Sequence, residues 1–78
     1  MKLEIITPDT TIFTGETSLV QLPGLDGLFE ILHNHAPMIA ALGRGRVKIV
    51  DENKKTQFFE INGGVLEVLD NHILILSE

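Results

Sequence analysis

Cysteine is absent from the 78-residue sequence. That excludes disulfide staples, thiolate metal ligands and a cysteine nucleophile, and leaves stability to an apolar core or to a partner. A reducing compartment fits the same usage. Long apolar runs are missing too. The longest, Met38 to Leu42, falls far short of the roughly 20 residues that span a bilayer, and no basic segment followed by an apolar one opens the chain. A soluble or peripheral protein is expected. Cations are scarce, with 6 Lys and Arg against 11 Asp and Glu for a formal charge of −5. Such a chain repels phosphate backbones, so nucleic acid is not the expected partner. Five of the six cations, Arg44, Arg46, Lys48, Lys54 and Lys55, lie close together. They read as a solvated hairpin guarding a strand edge, with an anion-binding edge as the alternative.

Helical periodicity is also lacking, and what is present is period-two alternation broken by turn residues, the pattern of an all-β chain. Nine short strands are predicted: 2–7, 11–14, 16–22, 28–32, 38–42, 46–50, 56–61, 65–69 and 72–77. Gly15 is read as a turn or bulge between the second and third. Pro23-Gly24 and Asp26-Gly27 form a tight reversal that returns 28–32 antiparallel to the strand before it. Gly43-Arg44-Gly45, Asp51-Glu52-Asn53-Lys54, Asn62-Gly63-Gly64 and Asp70-Asn71 are the later turns. Regular antiparallel spacing of this kind fits a sandwich or barrel. No linker or repeat divides the chain, and residues 1–78 are read as one domain.

Two strands carry more apolar side chains than a half-buried strand needs. Ile73-Leu74-Ile75-Leu76 is apolar on both faces, and Val65-Leu66 with Val68-Leu69 nearly so. A second apolar face is covered either by local wrapping or by another protein.

Catalytic material is thin. Ser18 falls mid-strand, Ser77 is nearly terminal, and Glu4, Glu16, Glu60 and Glu67 occupy alternating strand positions that face solvent. No phosphate-binding glycine loop ends in lysine and a hydroxyl residue. His33 and His35, two apart in an extended segment, face the same way and present a candidate metal pair, with His72 or Glu60 as the third ligand if the fold brings them close. The competing reading has them as loop histidines bonded to backbone or facing solvent, and His72 as a surface residue.

The order of features carries more information than any one of them. A Leu-x-Ile strand precedes a proline turn, followed by Phe13-x-Gly15, Leu22-Pro23-Gly24, Gly27-x-Phe29, His35-Ala36-Pro37, the apolar 38–42, Gly45 before Val47-x-Ile49, and Gly63-Gly64-x-Leu66-Glu67-Val68. This arrangement resembles the N-terminal domain of the epsilon subunits of F-type ATP synthases, across the whole chain. Leu28 stands where relatives are often polar or acidic, Glu30 where glycine is common, and His33-Asn34 where Pro-Gly or a similar pair is usual.

The resemblance implies a flattened antiparallel β-sandwich of nine to ten short strands, acting as a non-catalytic rotor subunit without cofactor or metal. It would dock the gamma subunit onto the c ring and couple ion translocation to ATP synthesis, peripheral to the cytoplasmic face of a bacterial inner membrane. Relatives usually continue into an inhibitory two-helix domain, which these residues could not form, so coupling without autoinhibition is expected. Gly27, Leu28, Phe29 and His35 match the ring-contacting loops. Leu74 and Leu76, from their two-sided pattern, are the candidates for the gamma-facing sheet. The runner-up remains a small β-barrel module binding metal or ligand through His33 and His35.

Overall fold

The alternation becomes eight strands in the computed structural model, which describes all 78 residues: β1 (Lys2–Ile6), β2 (Thr11–Gly24), β3 (Gly27–Leu32), β4 (Met38–Leu42), β5 (Gly45–Asp51), β6 (Thr56–Ile61), β7 (Gly64–Leu69) and β8 (His72–Ser77). One strand fewer than predicted results because 11–14 and 16–22 are a single 14-residue strand. Gly15 does not break it. The Phe13 ring lies over Gly15, 3.1 Å from where a Cβ would stand, so glycine there makes room for an aromatic ring.

Strand β2 organises the molecule by serving two layers. Its first half, from Thr11 to Glu16, pairs with β1, while its second half lies between β3, from Leu19 to Gly24, and β5, from Thr17 to Gln21. The first layer runs β4-β7-β8-β1-β2 and the second β3-β2-β5-β6. Every pairing is antiparallel except β1 with β8, which is parallel and unites the two ends of the chain. A register shift between Thr17 and Leu19 marks the crossing. Up to that bulge the odd-numbered residues Phe13 and Thr17 face the core, and beyond it the even-numbered Val20 and Leu22 do. A bulge inserts one residue and so exchanges the faces of everything after it. Ser18 occupies the irregular position, its hydroxyl donating to the Val50 and Asp51 carbonyls at 3.2 and 3.4 Å.

The core follows from this alternation. Leu3, Ile5, Leu66, Val68, Ile73 and Ile75 from the first layer are buried with Val20, Leu22, Ile31, Val47, Ile49 and Ile61 from the second. Each such side chain, removed from water, stabilises by about 1.5–3 kcal/mol before entropy is counted. One open side is filled by Phe13 and Phe59, ring centroids 5.5 Å apart. The other is filled by Phe29 and Met38, half-buried against the core.

The loops gather at two ends. One end holds Met1, the His33–Pro37 loop, the β5–β6 turn and the β7–β8 turn, joined by the Asn34 N–H donating to Asn71 Oδ1 at 2.8 Å. Asp70 and Asn71 both have positive φ, 51° and 60°, the geometry of a two-residue hairpin turn. The opposite end holds the Leu25-Asp26 turn, Gly43 and Asn62-Gly63, linked through the Gly24–Leu42 pair and the Gly43 N–H donating to the Pro23 carbonyl at 2.8 Å.

Candidate functional site

The three histidines are the candidates for side-chain chemistry. His33 Nδ1 lies 3.4 Å from the Met1 amino nitrogen and its Nε2 lies 3.9 Å from Glu52 Oε1. His35 turns its Nδ1 back on the Ala36 carbonyl at 2.7 Å. The two rings thus have different partners, although their residues are two apart in sequence. His72 belongs elsewhere, with Nε2 2.9 Å from Glu4 Oε1. No three His, Asp or Glu side chains come together to hold a metal ion. The metal-binding alternative therefore gains no support from the geometry. The serines are equally occupied: Ser18 caps β5 carbonyls and the Ser77 hydroxyl donates to the Glu78 carbonyl at 3.3 Å.

What the strands build instead is surface. On the outer side of the first layer, register places Ala41 beside Val65, Val65 beside Leu76, and Leu76 beside Ile6. On β2 the partner of Ile6 is Thr11, and a register shift beside it leaves Ile12, 36% exposed, without a partner. Neighbouring strands lie about 4.8 Å apart, so this stripe is roughly 14–19 Å long. A second row runs Ile39, Glu67, Leu74, Glu4, Thr14. Ile39 is 74% exposed, Leu76 44% and Val65 43%. The two-sided strands are thus buried on one side by Ile73, Ile75, Leu66 and Val68 and left open on the other. Local wrapping does not cover the second face.

A further apolar site lies at the Leu25 end. Leu25 and Leu28 are 70% and 67% exposed and border an open cleft of about 450 Å³ lined also by Phe29, Met38, Ala40 and Ala41. The cleft exists because β3 pairs only with β2 and β4 meets β2 only at Gly24. Gly24 holds the turn tight: a Cβ there would stand 2.8 Å from the Phe29 ring and 2.8 Å from the Gly27 carbonyl oxygen. Gly27 takes φ 125°, open to glycine and strained for other residues.

Of the ring-contact candidates, Gly27, Leu28 and Phe29 lie together at this end, with Leu28 outward and Phe29 packed against the core. His35 lies in the loop at the opposite end of β3, so the fold does not bring it to the other three. Leu74 and Leu76 share the outer face of the first layer. Sequence reasoning flagged the strand of Val65 but missed Ile39 and Leu25. The signal for Ile39 was available, since Met38 to Leu42 is apolar at consecutive positions, as the flagged strands are.

The basic stretch is the β5–β6 hairpin. Its outer strand, β6, pairs only with β5, and the Arg46 guanidinium sits 4.9 Å over the exposed Phe58 ring. This is the charged, bulky covering that protects a free edge.

Comparison with known proteins matches this architecture. The sequence model of the ATP synthase delta/epsilon chain beta-sandwich domain matches residues 1–78. The ATP synthase epsilon chain of Chlorobium limicola is 46% identical over 77 residues, covering 99% of this chain and 88% of that one. The epsilon chain of Chlorobaculum tepidum is 42% identical over 76 residues, covering 97% and 86%. A chain in the cryo-EM structure of the Euglena gracilis mitochondrial ATP synthase superimposes with a TM-score of 0.89 at 22% identity, covering 96% of this chain and 48% of its own length.

Proposed function

From the premise that the chain belongs to the ATP synthase delta/epsilon chain beta-sandwich family, we propose that it is a non-catalytic central-stalk subunit that docks gamma onto the c ring. It turns with them, coupling ion translocation to the ATP chemistry of other subunits, at the cytoplasmic face of a bacterial inner membrane. The observation that carries this reading is the pair of separate apolar surfaces. The outer face of the first layer, with Val65, Leu74 and Leu76, is broad enough to seat a partner, and the Leu25–Leu28 tip offers an apolar anchor of the sort that dominates interfaces. Assigning the face to gamma and the tip to the ring leaves His35, at the far end, outside the ring contact.

The mechanics suit the role. Torque passed between two partners requires a body that does not shear, and here β2 is hydrogen-bonded into both layers over a close-packed core. No side chain need react. The test is affinity capture of this chain from detergent-solubilised membranes of its host, followed by a moderate salt wash and mass spectrometry. Recovery of gamma and c subunits supports the assignment, and recovery of neither overturns it.

A further inference from the structure

The two outer faces of the molecule differ in charge. Arg44, Arg46, Lys48, Lys54 and Lys55 all lie on β5 or in the turns at its two ends, in the second layer, so the first layer keeps one cation, Lys2. On the outer side of that first layer, register sets Glu67 between Ile39 and Leu74, and Glu4 between Leu74 and Thr14. Glu4 has a partner within the molecule, since His72 Nε2 lies 2.9 Å from Glu4 Oε1. Glu67 has none: the three ion pairs of the molecule leave it out. It is an exposed carboxylate, served by water, in the middle of an otherwise apolar face.

A partner that covers Ile39 and Leu74 covers Glu67 as well. Those two side chains stand on the strands flanking β7, roughly 10 Å apart, with the carboxylate midway. A carboxylate sealed from water without a partner is costly. A guanidinium or ammonium placed over it offsets that cost and fixes where along the face the partner sits.

We propose that the first-layer face selects a partner surface on which a Lys or Arg stands among apolar side chains, and that Glu67, paired with that cation, determines the specificity of docking. The proposal rests on the reading above in which gamma occupies this face. Charge complementarity identifies the occupant, because a neutral or acidic apolar surface would leave Glu67 sealed and unpaired. A second copy of this chain offering its basic second layer is the competing occupant. It fits less well: Arg46 is stacked on Phe58, and Arg46 and Lys48 have Glu60 and Gln21 beside them in register, so that layer does not surround its cations with the apolar side chains needed to cover Ile39 and Leu74.

The test compares the unaltered chain with Glu67→Gln, Glu67→Lys and Glu30→Lys, the last making the same change of charge on exposed β3 of the second layer. Each is titrated with the host's purified gamma subunit, and each is run alone by sedimentation velocity. All should melt within a few degrees of the unaltered chain, because the substitutions are at exposed positions. Gamma should bind Glu67→Gln about tenfold more weakly and Glu67→Lys about a hundredfold or more, with less than about a threefold loss for Glu30→Lys. Binding of Glu67→Lys within about threefold of the unaltered chain, or an equal loss in Glu30→Lys, would overturn the pairing while leaving gamma on the face. Failure of the unaltered chain to bind gamma would overturn the docking reading and this proposal together. Self-association of the unaltered chain that disappears in Glu67→Lys would give the face to a second copy and overturn the proposal.

Discussion

Replacing Gly24 with alanine adds one methyl group to the tightest part of the Leu25 end, and the geometry fixes what it meets. The new Cβ would stand 2.8 and 2.9 Å from two atoms of the Phe29 ring and 2.8 Å from the Gly27 carbonyl oxygen. Carbon atoms rest about 3.5–4.0 Å apart, so the ring must withdraw by roughly 0.6–1.2 Å. Phe29 is packed against the core on one side and lines the open cleft on the other, so the ring can give way only toward the cleft. The carbonyl belongs to the Gly24–Gly27 pair that closes the β2–β3 turn and cannot move without opening it. Overpacking of this kind costs about 1–3 kcal/mol, which for a domain of this size lowers the melting temperature by roughly 4–24 °C. Calorimetry of Gly24→Ala, Phe29→Leu and the double variant separates the two clashes. The ring contribution predicts that the double variant loses less than the sum of the singles, by about 1 kcal/mol, because the leucine vacates the space the methyl needs. An unchanged melting temperature for Gly24→Ala, or strict additivity in the cycle, would refute the packing argument.

Leu28→Asp should leave the melting temperature within a few degrees, since the side chain is exposed, while the c subunits disappear from the captured complex; unchanged recovery would remove the tip from the interface. Leu76→Lys should likewise spare the fold and reduce gamma recovery, and equal amounts of gamma by mass spectrometry would count against the first-layer face. Leu66→Ala empties a fully buried site at a cost of about 2–5 kcal/mol. With roughly 0.05–0.15 kcal/mol of stability per residue, that is a large share of the total, and the urea midpoint should fall sharply; an unchanged midpoint would refute the burial argument. Lys54, with φ 65°, should be improved by glycine, because a left-handed residue costs about 1–2 kcal/mol against about 0.5–1 kcal/mol for glycine's extra entropy; a higher urea midpoint is the expected sign.

Alternation located nearly every strand, because period two is a local property and each turn carries its own glycine, proline, aspartate or asparagine. It misplaced the break in β2, since the feature that exchanges faces is a bulge at Ser18, defined by how β5 registers against β2 and invisible in β2 alone. The same limit separated His35 from Leu28. Their sequence distance is small, but β3 runs the length of the molecule between them, and its pairing with β2, Leu28 beside Pro23 and Leu32 beside Leu19, shows which end each occupies. The surplus of apolar residues on β7 and β8 was legible as an unburied face. Met1 was not legible as a core residue: a methionine at position 1 carries no pattern, and its burial depends on Thr17 and His33 closing over it.

The parallel pairing of β1 with β8 also governs how the molecule comes into being. Residues 2–6 align with 72–76, so each residue of β1 pairs with one 70 positions further along the sequence. Long-range pairings of this kind close late and fold slowly, on roughly millisecond-to-second timescales, and Leu3 and Ile5 lack their β8 neighbours until this one closes. Since the two strands run the same way, the first and last residues finish at opposite ends of the body. A circular permutant would need a linker reaching along a whole strand, about 20 Å, and a tight loop joining the termini would tear apart the pair that completes the first layer.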